Sequence, residues 1–360
     1  MLRLTRRDLI ACGVALTAAD SVGGASRREP SPPVSNPDVA EPLKLVDPEL
    51  RGFLHQLPRE RPVYSTQTIQ KLRANTDYAE QTAQQLSLPK IAARTIASSA
   101  GAGHVPIFVV NGSPGDQPRP GLLFIHGGGF IGGSTAGSFP GFSGLQRLAR
   151  DHHCTVVSVD YRLAPEMRYP GSLEDNYEAL KWLYANAAAL GVDAQRIAVM
   201  GESAGGGHAA MLALAARDRG EIPLLFQLLI YPMLDDRTGS TITVPPHIGT
   251  FIWTREANRF AWTAFLGVRA GSAVVPRGSV PARVHDLRGL PPTYIGVGSL
   301  DLFVNEDIEF ARRLLDAGVP TELNVAPGAY HGFFFLVPDA AVSRRFSESF
   351  NAALAKAFAV

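Results

Sequence analysis

Gly201-Glu202-Ser203-Ala204-Gly205 forms a G-x-S-x-G string where an apolar run ends and a helical pattern begins. A serine nucleophile must stand clear of the backbone on a sharp turn. Glycine two places to either side removes the Cβ atoms that would collide there. Taken alone the string also fits a serine N-cap on a glycine turn, so its weight depends on partners elsewhere in the chain. A serine hydroxyl needs a base to take its proton and an acid to orient that base. His331, within Gly328-Ala329-Tyr330-His331-Gly332-Phe333, follows the last apolar run on a loop that glycine makes pliable. His208 stands five places after Ser203 on the same helical pattern and points elsewhere, while His247 and His285 read as surface or packing residues. Asp301, in Gly298-Ser299-Leu300-Asp301, ends the preceding run and is the candidate acid; Glu306 and Asp307 are weaker because a helix has begun there. The order Ser203, Asp301, His331 is the order of a strand-borne triad.

His126-Gly127-Gly128-Gly129-Phe130 supplies the complementary part. Acyl transfer builds negative charge on an oxygen, and backbone N–H groups aimed at it are worth roughly 2.7 to 4 kcal/mol each in the barrier. Gly127, Gly128 and the amide of Ala204 are the expected donors, with His126 as a positioning residue. A rival reading takes Gly127, Gly129 and Gly132 as the G-x-G-x-x-G of a dinucleotide site with Asp160 on the ribose. Asp160 lies 28 places after Gly132, against an expected ~20, and that reading leaves Ser203 and His331 without a purpose.

Positioning these residues requires alternating strands and helices. Short apolar runs at 107–110, 122–126, 155–160, 197–201, 224–230, 293–297 and 322–326 alternate with amphipathic stretches at 171–188, 204–218, 304–317 and 340–357. That alternation predicts an α/β fold, one doubly wound, mostly parallel sheet flanked by helices. Residues 27–48 are rich in Pro, Ser and charge and read as a linker or extended arm, followed by helix-like pieces at 49–56 and 68–86. Residues 235–288 break the alternation with Phe251, Trp253, Phe260, Trp262 and Phe265 among Pro and Gly, and read as an insertion over the sheet's carboxyl edge.

With those residues in hand, the sequence resembles the hormone-sensitive-lipase-like branch of the α/β-hydrolase esterases. His126 to Phe130, Asp160-Tyr-Arg-Leu-Ala-Pro-Glu166, Gly201 to Gly206 and Tyr330-His-Gly-Phe333 stand in that family's order over about residues 80 to 360. The resemblance implies an α/β-hydrolase core of eight strands at 89–234 and 289–360, with a helical cap built from 26–88 and the inserted segment 235–288. It also implies hydrolysis of carboxylic esters of short to medium acyl chain through an acyl-enzyme, with no cofactor and no metal. Two departures stand out: Glu202 replaces the common Asp, and Asp301 to Glu306 lacks the usual proline and one acid. The same triad serves an amidase or formamidase. Relatives that act as small-ligand receptors lack the catalytic histidine, which is present here.

Composition narrows the partners. The chain of 360 residues carries 34 Lys+Arg against 33 Asp+Glu, without the basic excess of a nucleic-acid binder. Cys12 and Cys154 are too few for a disulfide framework or a zinc site. The amino terminus places Arg6-Arg7 before an apolar stretch of 11 residues, Leu9 to Ala19, which is short of the ~20 that span a bilayer. Residues 1–25 therefore read as an export signal of twin-arginine type, leading to the periplasm or the exterior, rather than a stable membrane anchor. A Sec signal, or an uncleaved tail on a cytoplasmic protein, is the alternative. The partner implied is a small-molecule ester; the oligomeric state is not readable.

Overall fold

Strands buried on both faces need unbroken apolar runs rather than alternation, and such runs make the centre of the sheet. The computed structural model describes residues 37–57, 63–74, 85–101 and 103–359, so the export-signal reading of 1–25 lies outside the described residues. Its sheet has eight strands in the order β1-β2-β4-β3-β5-β6-β7-β8. They are β1 (Ile91–Ala97), β2 (His104–Val110), β3 (Arg119–Ile125), β4 (Thr155–Val159), β5 (Val192–Glu202), β6 (Phe226–Ile230), β7 (Thr293–Gly298) and β8 (Thr321–Ala326). β2 pairs antiparallel with both β1 and β4, and every later pairing is parallel. In β4, β6 and β7 every residue is buried, because helices cover both faces of the sheet.

The arm contributes α1 (Pro37–Leu45), α2 (Pro48–Leu54) and α3 (Thr66–Ala74). The core helices are α4 (Gly141–Asp151), α5 (Gly171–Ala185), α6 (Ala187–Leu190) and α7 (Ala204–Arg219). The inserted segment carries α8 (Arg255–Leu266), and α9 (Val304–Asp316), α10 (Phe333–Leu336) and α11 (Ala341–Phe358) complete the chain.

The sequence reading and the structure part company in four places. β1 was not expected: as an edge strand it buries only Ile96 and leaves Arg94 and Thr95 exposed, so it shows no apolar run. α4 opens on Gly141 and Gly144, whose low helix propensity masks a face that buries Phe142, Leu145 and Leu148. Residues 37–48 are not a linker, since α1 forms there and Val46 joins the core at 1% exposure. Proline at the first turn is compatible with both α1 and α2. The helix expected over 68–86 is α3 as far as Ala74; residues 75–84 lie outside the described residues. Residues 85 and 86 are not helical, because the Gln146 side chain takes both the N–H and the carbonyl of Leu86, at 2.7 and 2.8 Å.

α2 docks beside the loop that carries His331. Asp47 donates its N–H to the Gly328 carbonyl at 2.9 Å, Tyr330 donates its hydroxyl to the Leu50 carbonyl at 3.2 Å, and Glu49 accepts from the Ala341 amide at 3.0 Å. Among the described residues no helix is long and apolar enough to cross a membrane.

Candidate active site

Ser203 sits on the turn between β5 and α7 with φ +54 and ψ −122, a conformation that side-chain-bearing residues rarely adopt. The turn is held by backbone bonds: Ser203 N–H reaches the Ile230 carbonyl at 2.9 Å, and the Ser203 carbonyl accepts from Gly207 and Met233 at 3.0 and 2.9 Å. Glycine is required on both sides. A Cβ at Gly201 would lie 2.1 Å from the Gly205 carbonyl, and one at Gly205 would lie 2.1 Å from that of Ile125. The N-cap alternative fails, because the serine side chain makes no cap bond to α7.

His331 reaches this serine from the loop after β8. Its Nδ1 lies 2.7 Å from Asp301 Oδ2 and its Nε2 3.1 Å from Ser203 Oγ. A carboxylate only accepts, so Nδ1 carries the proton and donates to Asp301, leaving Nε2 to accept from the serine hydroxyl. The second oxygen of Asp301 accepts from the Phe303 amide at 3.0 Å. Asp301 is fully buried while Ser203 and His331 are 6% and 8% exposed, so solvent meets only the serine end of the chain of bonds. Of the weaker acids, Glu306 accepts from the amides of Leu234 and Asp235 at 2.7 and 3.1 Å. Asp307 is buried with neither carboxyl oxygen partnered among the described residues, and burial holds its pKa well above the usual range. His208 is buried among Phe130, Tyr161 and Phe265, and burial lowers its pKa to about 3. His285 is exposed and His247 half-buried.

Gly127, Gly128 and Gly129 line the cleft above Ser203. The segment is a tight turn, in which the Gly128 carbonyl accepts from Ile131 and Gly132 at 3.1 and 2.9 Å. No helix opens on these glycines, the next one beginning at Gly141. The strand-glycine-helix arrangement of a dinucleotide site is therefore missing, and Asp160 instead accepts from the Thr135 amide at 2.6 Å. His126 Nδ1 donates to the Gly127 carbonyl at 2.7 Å, and its ring stacks on that of Tyr161 with centroids 4.4 Å apart, while the Tyr161 hydroxyl donates to the His126 carbonyl. Among the described residues no group of three or more His, Cys, Asp or Glu is placed to hold a metal.

Three neighbours of the site, Glu202, Tyr231 and Trp253, are not among the site residues that the sequence assigns. Glu202 is buried beside the nucleophile; its Oε2 accepts from the Tyr231 hydroxyl at 3.0 Å, and its carboxylate faces the Gly127 amide and His331. Burial raises its pKa to about 7 against the opposing effect of those three neighbours. Tyr231 packs its ring 4.5 Å from that of His331. Trp253, from the inserted segment, lies where a Cβ on Gly129 would meet it at 2.3 Å, and forms one wall with Phe139, Ile252 and Phe335. The departure of Glu202 from the usual Asp marked that position in the sequence; nothing local marked Tyr231 or distinguished Trp253 from the other aromatics.

An eight-stranded, mostly parallel sheet with a serine elbow, a histidine loop and a glycine turn at its carboxyl edge defines the α/β-hydrolase architecture. Residues 122–335 match the family model described as alpha/beta hydrolase fold. The carboxylesterase NlhH of Mycobacterium tuberculosis is 33% identical over 324 residues, covering 86% of this chain and 95% of the relative. The ethyl acetate hydrolase of Pseudomonas putida is 34% identical over 231 residues, 61% of this chain and 69% of the relative. Among solved structures, a bacterial heroin esterase superposes with a TM-score of 0.76 at 37% identity, covering 88% of this chain and 99% of the other. The chain belongs to the α/β-hydrolase fold family, in its hormone-sensitive-lipase-like branch. Within that branch it is a carboxylic ester hydrolase.

Proposed function

We propose that the enzyme is a serine esterase for short to medium acyl chains, working through an acyl-enzyme on Ser203. The observation that carries this is the unbroken line of hydrogen bonds from Asp301 through His331 to Ser203, at 2.7 and 3.1 Å. Ser203 Oγ attacks the ester carbonyl while His331 Nε2 takes its proton, then returns it to the departing alcohol. Asp301 keeps Nδ1 protonated and stabilises the imidazolium that forms. A water molecule then cleaves the acyl-enzyme by the same proton transfers in reverse. The developing oxyanion is met by the amides of Gly127, Gly128 and Ala204.

Chain-length preference follows from the wall. Phe139, Ile252, Trp253 and Phe335 close the cleft beside the glycine turn, and large rings so near Ser203 favour acyl groups at the short end. The relative that hydrolyses ethyl acetate supports the same end of the range. Arg6-Arg7 and the apolar stretch after them support export to the periplasm or beyond, and fractionation of the native host with an antibody tests it.

The test of the chemistry is turnover of p-nitrophenyl esters from acetyl to palmitoyl by the wild type and by Ser203→Ala. Activity in the first with a loss of roughly 10⁴- to 10⁶-fold in the second is expected. Turnover of anilides in preference to esters would move the reading to an amidase; turnover that survives the substitution would mean another nucleophile.

A further inference from the structure

We propose that Arg73, on the amino-terminal arm, is a positioning residue for the glycine turn that meets the oxyanion. Its guanidinium makes three bonds across the chain: Nε donates to the Ile131 carbonyl at 2.8 Å, one terminal nitrogen to the Ala164 carbonyl, and the other to Glu166 at 2.9 Å. These partners lie in two segments already joined to each other, since Ala164 donates its N–H to the Phe130 carbonyl at 2.9 Å. Arg73 therefore clamps the end of the 126–133 turn onto the 160–166 segment. It is 24% exposed, and only Glu166, at 51%, faces water, so the two carbonyl bonds are the sheltered part of the clamp.

The clamp bears on the oxyanion donors through the backbone. The Gly128 carbonyl accepts from Ile131 and Gly132, so Gly128, whose own N–H is one of the expected donors, is anchored on its carbonyl side by the turn that Arg73 holds at Ile131. Phe130, between them, has φ +64 and would relax if its neighbours were released. Donors that serve a developing charge must be fixed before the charge appears, and a displacement of ~1 Å can cost about 100-fold in rate. The arm also touches the inserted segment, where Tyr64 packs on Trp253 and Phe260 with ring centroids 6.4 and 6.0 Å apart. One short stretch of chain thus contacts the wall of the cleft and the turn across from it.

A planar fork serving two carbonyls and a carboxylate cannot be replaced by an ammonium. Arg73→Ala and Arg73→Lys are therefore both expected to lower kcat on p-nitrophenyl acetate roughly 10- to 100-fold with KM within about 3-fold. Glu166→Gln, which removes only the exposed ion pair, should stay within about 2-fold. The inhibition constant of a trifluoromethyl ketone, which forms a tetrahedral oxyanion on the serine, should weaken by the same factor as kcat/KM falls. A role confined to holding the arm would lower Tm and leave kcat and that inhibition constant alone. Unchanged kcat in either folded Arg73 variant, or a loss confined to KM, overturns the proposal; if Arg73→Ala does not fold, Arg73→Lys decides. The inference rests on the esterase reading above, and the two fail differently. A wild type without ester turnover sinks that reading, whereas an active wild type with indifferent Arg73 variants sinks only this one.

Discussion

The two sides of the cleft are built by opposite means. The sheet side is fixed by backbone: Ser203 at φ +54, glycines at 201 and 205 that admit no Cβ, and an acid and base tied by bonds of 2.7 and 3.1 Å. The cap side is fixed by rings. Trp253 is held by Tyr64, by one bond from its indole N–H to Asn258 at 3.2 Å, and by contact with the glycine turn. Its neighbours in the inserted segment divide the labour, with Trp262 and Phe265 packing on Phe130 at 5.0 and 4.2 Å rather than lining the cleft. Backbone geometry cannot be traded for another residue's, but ring bulk can. The sheet side should therefore set the rate and the cap side the range of substrates.

The largest effect is expected where the sheet side loses its proton ordering. Asp301→Asn preserves shape but lets His331 carry its proton on the wrong nitrogen, and should lower kcat by about 10⁴-fold with the fold intact. Circular dichroism and steady-state kinetics check this together; a loss under 10-fold would remove Asp301 from the relay and break the contrast at its strong end.

Gly129→Ala tests the seam between the two sides. Gly129 has φ +62, and the added Cβ would meet Trp253 Cη2 at 2.3 Å. The left-handed conformation costs an L-residue roughly 1 to 2 kcal/mol, and the collision must push either the ring or the turn. A fall of about 10- to 100-fold in kcat/KM is expected, with part of it restored by adding Trp253→Ala. Full restoration would mean that the ring alone constrains the turn; none would mean that the backbone alone does.

A smaller and selective effect belongs to Trp253→Ala by itself. Removing the wall should raise the octanoyl to acetyl ratio of kcat/KM by about 10-fold or more, in line with ~1 to 3 kcal/mol of discrimination from pocket contacts. Acetyl turnover should fall by no more than about 3-fold. A uniform loss across chain lengths would show that the cap side also sets the rate, and would erase the distinction.

The same division explains what could be read in the chain beforehand. Backbone demands leave local marks: glycines at 127–129, 201 and 205 and an apolar run before each site residue point to strand ends and turns. Seven of the eight strands carry such runs, and β1 escapes because Arg94 and Thr95 interrupt its apolar residues. The cap leaves weaker marks, since five aromatics between 251 and 265 look alike in sequence, and only packing sends Trp253 to the cleft and Trp262 to the core. Arg73 is one of 34 basic residues; its partners lie 58 to 93 places away, beyond any local pattern. Glu202 was visible as a departure from the family string, but its bond with Tyr231 follows from tertiary placement.

Glu202 is the point at which the sheet side depends on charge rather than backbone, and its titration sharpens the contrast. Burial raises its pKa from 4.5 to about 7. Between those values the native state holds more protons than the unfolded chain, so this group's contribution to stability falls as pH rises from 4.5 and is fully lost above 7. Glu202→Gln keeps the shape and an acceptor for Tyr231 but cannot ionise. Its stability relative to the wild type should therefore rise across that window, by on the order of 2 kcal/mol at pH 8 compared with pH 5. Urea unfolding at the two pH values measures this directly. Parallel curves, or a variant that loses ground at pH 8, would show that the amide of Gly127, the Tyr231 hydroxyl and His331 compensate the buried charge in full. The carboxylate would then be as firmly built into the sheet side as the serine beside it.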